Sequence, residues 1–173
     1  MVPVIVGLLT GAFALLAQFL VGAFGIPVRL QMPVAMRAAG AGVLAFGLIF
    51  MGWLFRYRNP AEILQSTYVT MRKGKRGTPA HETLARTEPL ILRGPQRHVR
   101  HPLYFAVLVV LLGWWLLLNY TLLLLMALFF FLWFTLVVIR FEEQELRALF
   151  GEEYVTYARV VPMIFPSLKP RWR

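Results

Sequence analysis

The 173-residue chain has no cysteine, which excludes disulfides, thiolate metal ligands and a cysteine nucleophile while leaving the compartment open. Acid is scarce as well: 8 acidic residues stand against 18 lysines and arginines, for a formal net charge of +10. Charge is missing altogether from three long tracts, residues 2–28, 38–55 and 103–139, each long enough to cross a hydrocarbon core of roughly 30 Å. With 59% hydrophobic residues, the composition lies far outside that of a soluble domain. A Gly-rich loop ending in Lys and Ser or Thr is absent, which excludes a Walker-type phosphate cradle, and no internal repeat is evident.

What is present is organised around those tracts. The third holds 37 residues and would extend about 55 Å as one helix, so two crossings fit it better, joined at Asn119 and Tyr120, its most polar point. The expected fold is an all-α integral membrane protein with four transmembrane helices, the last two a tight helical hairpin, followed by a C-terminal amphipathic helix. It reads as a single domain: two N-terminal spans in 1–55, a polar loop in 56–102, the hairpin in 103–139 and a C-terminal segment in 140–173. The first tract has no basic residue ahead of it and is about twice as long as a signal-peptide core, so it is expected to stay attached. Two basic residues separate the first and second spans, ten lie in 56–100 and six follow the fourth span. Positive-inside bias then places both termini and the long loop in the cytoplasm. Charge flanking spans in this way meets anionic lipid headgroups rather than nucleic acid.

Gly7 and Gly11 in the first tract, and Gly40, Gly42, Gly47 and Gly52 in the second, predict close helix packing within the protein, with a homodimer as the alternative. The stretch RKGKRGTP at 72–79 reads as an irregular surface loop. After the fourth span, Leu146, Phe150, Tyr154, Tyr157 and Val161 form one apolar stripe on a helix that Pro162 and Pro166 end.

A reversal at Asn119 has a geometric consequence. Arg100 lies 19 residues before it and Glu142 23 after it, a mismatch of about 6 Å of helix, so Arg100, His101, Glu142 and Glu143 converge, with Tyr104 one turn inside. Pro102 suits the first turn of a helix and turns His101 toward an extended conformation, and the helix start favours an anion. Plainer readings stand beside this one: Arg97 and Arg100 snorkelling with the histidines among headgroups, or His98 and His101 as an HxxH pair, with His81 the third histidine, for which no metal-ligand framework is recognisable. Glu152 and Glu153 are adjacent on a helix, diverge, and read as solvated.

RGPQRHVRHPLY at 93–104 and EEQELRALFGEEYVTYARVVPMIFP at 142–166 together resemble the isoprenylcysteine carboxyl methyltransferase family and its integral-membrane phospholipid methyltransferase relatives. Gly77, Thr78 and Pro79 resemble a run found upstream in bacterial members. The resemblance implies S-adenosylmethionine-dependent methyl transfer, in a pocket at the cytoplasmic ends of the last two spans, covered by the C-terminal segment and open sideways to lipid. It assigns cofactor binding to His98, Val99, Arg100, His101, Pro102, Tyr104, Glu143, Tyr154 and Tyr157, and catalysis to Arg100 with Glu142 or Glu143; Pro162 matches the closing segment, and no metal is implied. The family's type substrate is a prenylated-cysteine carboxylate, a lipophilic acceptor arriving from the bilayer. Phospholipid amines or hydrophobic thiols are alternatives, and a lipid-binding membrane scaffold is an alternative of another class. Gln96 and His98 depart from the family by standing where Tyr is frequent, and Ala106 by standing where Gly is frequent.

Overall fold

The computed structural model describes residues 11–12, 14–16, 18–19, 21–59 and 92–172. Gly7, the loop stretch 72–79 with Gly77, Thr78 and Pro79, and His81 lie outside the described residues. Among the described residues the regular elements are helical, with no strand and one isolated bridge, Arg29 to Tyr120. In chain order they are α1 (Ala14–Ala23), α2 (Val34–Phe55), a 3-10 turn (Gly94–Arg97), α3 (Pro102–Leu118), α4 (Thr121–Trp133), a π-turn (Phe134–Val138) and α5 (Ile139–Val160). Among the described residues two helical runs are long and apolar enough to cross a membrane, Val34–Phe55 and Thr121–Val160, whereas α3 is shorter at 17 residues. The second run has 40 residues, about 60 Å of helix. Only its apolar part, residues 121–139, suits hydrocarbon; Arg140 opens a polar continuation.

The chain divides into two compact units, Met1–Ile49 with Val107–Leu132, and Phe50–Ala106 with Trp133–Arg173. The first is packed through missing side chains. A Cβ on Gly113 would lie 2.6 Å from the Leu44 backbone, one on Gly40 2.7 Å from Leu116 and Leu117, and one on Gly47 3.0 Å from Val110. Close approach of this kind is how apolar helices associate where no hydrophobic drive separates protein from surroundings. Of the expected α2 glycines, Gly40 and Gly47 therefore work in intramolecular packing, with Gly113 their counterpart on α3, whereas the Cβ position of Gly52 is open. Gly42 has nothing within 4 Å of its Cβ position.

At the polar break, α3 stops at Leu118 and α4 starts at Thr121. Asn119, with φ 60°, takes the left-handed conformation that Asn tolerates better than most residues. The segment before α2 is tied to this turn: Leu30 N–H donates to the Asn119 carbonyl at 2.9 Å, Thr121 N–H donates to the Val28 carbonyl at 3.0 Å, and the Arg29 guanidinium covers the Tyr120 ring at 4.3 Å.

In the second unit, Leu54, Val99, Ala106, Ile139, Tyr154, Tyr157 and Val161 are buried. Tyr154, Tyr157 and Val161 form one cluster with Leu146 and Phe150 packed against it, as the stripe predicts. The helix carrying that stripe is not straight, however. Gly151 sits at φ 52°, ψ −130°, a conformation open essentially to glycine, and it re-aims the second half of α5.

Candidate active site

Pro102 opens α3, and the backbone before it is held by the chain's last segment. Arg100 N–H donates to the Pro162 carbonyl at 2.9 Å and His101 N–H to the Met163 carbonyl at 3.1 Å. His101, 4% exposed, is placed between two carboxylates. Its Nδ1 is 3.4 Å from Glu142 Oε2 and its Nε2 is 3.4 Å from Glu143 Oε1. Glu143 is the hub: its Oε1 also pairs with Arg100 Nη1 at 2.6 Å, and its Oε2 with Arg147 Nη2 at 3.3 Å. Tyr104, one turn into α3, donates its hydroxyl to Glu142 Oε2 at 3.0 Å. The Tyr104 ring stacks with His101, 5.6 Å between centroids, and with Phe134 of the π-turn at 4.5 Å.

The electrostatics follow from this placement. Burial alone pushes the His101 imidazole down, but the bonds to and charges of Glu142 and Glu143 outweigh it and hold the group above its ordinary value. Burial likewise pushes Glu143 up, yet His101, Arg100 and Arg147 overcome that and keep the carboxyl below the usual range. The placement favours the protonated imidazole between the two carboxylates, with Arg100 and Arg147 adding positive charge on Glu143.

A second layer closes this cluster. The Tyr157 hydroxyl donates to the Gln96 carbonyl at 2.7 Å, and the Tyr157 ring meets Trp172 edge-on. Burial, with Glu143 nearby, pushes the Tyr154 phenol up, so it stays a neutral hydroxyl at ordinary pH. His98 turns away from the carboxylates: Nδ1 lies 2.8 Å from the Ser167 carbonyl and therefore carries a proton, while the ring stands edge-on to Trp53. Arg97 donates through Nε to the Trp172 carbonyl at 2.6 Å. Neither Arg97 nor His98 has the free, headgroup-directed geometry of the snorkelling reading. Glu152 and Glu153 are exposed. Three buried polar atoms at the site have no hydrogen-bond partner among the described residues, Arg100 Nε, Gln96 Oε1 and the Tyr154 hydroxyl.

The residues expected to converge, Arg100, His101, Tyr104, Glu142 and Glu143, thus do meet, and both glutamates take part. Val99 is fully buried behind them. Sequence reasoning missed Arg147, which the i, i+4 spacing to Glu143 would have offered. It also missed Phe134, Trp53 and Trp172, which no spacing marks, and it noted Gln96 only as a departure.

A phospholipid methyltransferase family model matches residues 36–153, which takes in most of α2, all of α3 and α4 and the Arg100–Glu143 pair. The chain belongs to the phospholipid methyltransferase family. Within this family setting, the chain is similar to methanethiol S-methyltransferase 2 of Bradyrhizobium diazoefficiens, 33% identical over 148 residues, covering 82% of this chain and 52% of the relative. The chain therefore spans about half the length of the curated relative it matches. No solved structure matches it. The cluster joins cations and carboxylates from the approach to α3 and from α5, the two segments that carry the sequence resemblance.

Proposed function

We propose that this chain performs S-adenosylmethionine-dependent methyl transfer at a membrane, onto a small or lipid-borne apolar acceptor, with a thiol as the first choice. The observation that carries the reading is the Arg100, His101, Tyr104, Glu142 and Glu143 cluster in a chain of this family.

The residues fit the cofactor. Arg100 Nε is a buried donor and Gln96 Oε1 a buried acceptor, each lacking a match. The carboxylate and the N–H groups of an amino-acid-bearing nucleoside would complete them. Glu142 and Glu143 suit a sulfonium charge. Arg100, His101, Tyr104 and Glu143, with Gln96 and under the cover of Tyr154 and Tyr157, would hold the group, and His98, Val99 and Pro102 would shape the backbone beneath it. When bound, the cofactor supplies an electrophilic methyl group. The protein's own part is alignment and exclusion of water, and orientation of this kind is worth roughly 7–11 kcal/mol in favourable systems.

The thiol is favoured by the similarity to a methanethiol S-methyltransferase and by the surroundings. Phe134 stacks on Tyr104 at 4.5 Å, an aromatic neighbour of the cluster suited to a soft, uncharged acceptor. Two carboxylates repel an anionic acceptor but take a proton from S–H or N–H. Glu142, with a side chain 20% exposed, is the base in this reading, and Glu143, held ionised by three cations, is the anchor. A prenylated-cysteine carboxylate is the second reading. It draws on the same Arg100 Nε, which would then serve the acceptor instead of the cofactor.

The membrane setting belongs to the proposal: four spans, α3 and α4 an antiparallel pair, both termini cytoplasmic, and the acceptor arriving from the bilayer. The Arg100–Glu143 contact across the Asn119 turn supports the antiparallel pair. Anionic lipids are the proposed surface partner, and a homodimer is the proposed assembly to test. Calorimetry on the detergent-purified chain should show saturable S-adenosylmethionine binding. Transfer of labelled methyl should be faster to a small aliphatic thiol than to farnesylcysteine or phosphatidylethanolamine. An absence of saturable binding would leave only the lipid-binding scaffold.

A further inference from the structure

The last twelve described residues run back over the site as a strap. Besides the bonds from Arg100 and His101, Ser167 N–H donates to the His98 carbonyl at 3.0 Å and Arg171 N–H to the Arg97 carbonyl at 2.9 Å. The Ser167 hydroxyl donates to the Lys169 carbonyl at 2.6 Å, which closes a turn between Pro166 and Pro170. At the tip of that turn stands Leu168, 101% exposed, with Phe165 68% exposed just before it. Lys169 and Arg171 are exposed beside them.

A strap so thoroughly hydrogen-bonded does not display a leucine by laxity. Two large apolar side chains held outward lose hydration free energy unless something covers them. The flanking cations say what the cover is: a second copy of this chain would bring Lys169 and Arg171 against their own kind, whereas an acidic bilayer surface accepts both the apolar tip and the charge. We infer that the 161–172 strap docks on the acidic face of the membrane, with Phe165 and Leu168 inserted at the headgroup boundary and Lys169 and Arg171 on lipid phosphates. Because Trp172 packs on Tyr157 and its carbonyl takes the Arg97 Nε–H, docking steadies the cover of the cluster. The inference rests on the membrane part of the proposed function and not on methyl transfer.

The absence of cysteine makes the test direct. Leu168→Cys carries one nitroxide at a position that touches nothing, in the full chain reconstituted into nanodiscs of phosphatidylcholine alone or mixed with phosphatidylglycerol. A thermal midpoint equal to that of the unsubstituted chain certifies the fold. In the acidic discs the label should become accessible to oxygen and protected from a water-soluble nickel complex. Adding Lys169→Glu and Arg171→Glu should reverse this, each cation contributing on the order of five-fold to partitioning. Equal water access in both discs would overturn the inference. So would protection that comes with spin–spin broadening and disappears on dilution with unlabelled chain, since that identifies a self-interface. Either result leaves cofactor binding, measured separately, to judge the enzymatic reading.

Discussion

The two units of the chain are held by opposite means. In the first, Gly40, Gly47 and Gly113 bring helices together because nothing protrudes. In the second, Arg100, His101, Glu142, Glu143 and Arg147 are held by what protrudes, through ion pairs at 2.6 to 3.4 Å. Apolar helices surrounded by lipid gain little from hydrophobic burial against each other, so shape decides their packing. Beyond Arg140 the chain is polar again, and charge can be kept where each ion has partners. The first unit should therefore respond to volume and be indifferent to pH, and the second the reverse.

The largest effect expected is that of Glu143→Gln, which changes almost no volume and removes the charge shared by Arg100, His101 and Arg147. Taking this carboxylate from the largely buried Arg100 costs roughly 3–5 kcal/mol, with His101 keeping only Glu142, so the denaturation midpoint in detergent should fall and S-adenosylmethionine binding should be lost. Wild-type stability together with wild-type binding would show that Glu143 is not the hub. On the volume side, Gly113→Ala puts a methyl 2.6 Å from the Leu44 backbone, and overpacking of this kind costs about 1–3 kcal/mol. Its midpoint should fall by a similar amount at every pH tested, and a pH-dependent loss would break the contrast.

These differences also explain what the sequence made legible. The turn at Asn119 was readable because it is the polar break in a 37-residue apolar tract, and the meeting of Arg100 with Glu142 and Glu143 followed from helical arithmetic on either side of it. The α2 glycines were readable as packing positions, though which of them face α3 was not: Gly40 and Gly42 look alike in sequence. The π-turn at Phe134–Val138, from which Phe134 stacks on Tyr104, has no residue signature. Gly151 stands in a stretch whose stripe reads as one straight helix, and its bend depends on ψ, which composition does not encode. The strap is held mostly through backbone carbonyls of Pro162, Met163, His98 and Arg97, groups every residue possesses, so although the resemblance implied a covering C-terminal segment, no side-chain pattern marked its path.

A graded effect is expected from pH. His101 is raised in the folded chain by its two carboxylates, so its contribution to stability is complete below its unfolded value of 6.5 and is lost as pH rises through the higher folded value. Glu143 is lowered, so its contribution is complete above 4.5 and fails only as pH falls through a more acidic point. Thermal midpoints should hold across mildly acidic pH and decline on the alkaline side, and His101→Gln should flatten that alkaline limb. A limb unchanged in this variant would place the titration elsewhere. Smaller still, Tyr157→Phe removes the 2.7 Å bond to the Gln96 carbonyl and should cost about 1 kcal/mol, visible as a lower midpoint with the Trp172 contact retained.

The smallest change sharpens the comparison most finely. Gly42 lies two residues from Gly40 on the same helix, yet its Cβ position meets nothing within 4 Å while that of Gly40 meets Leu116 at 2.7 Å. Gly42→Ala should therefore be neutral or stabilise by about 0.5–1 kcal/mol, the helix preference for alanine over glycine, whereas Gly40→Ala should destabilise. Gly42→Leu extends the test beyond one chain. If the open face meets only lipid, the larger side chain leaves the mass of the purified particle unchanged; if a second copy packs on that face through its small residues, the particle dissociates. Dissociation would mean that the rule of the first unit, association through absent side chains, continues across a homodimer interface; an unchanged mass would confine that rule to the contact of α2 with α3.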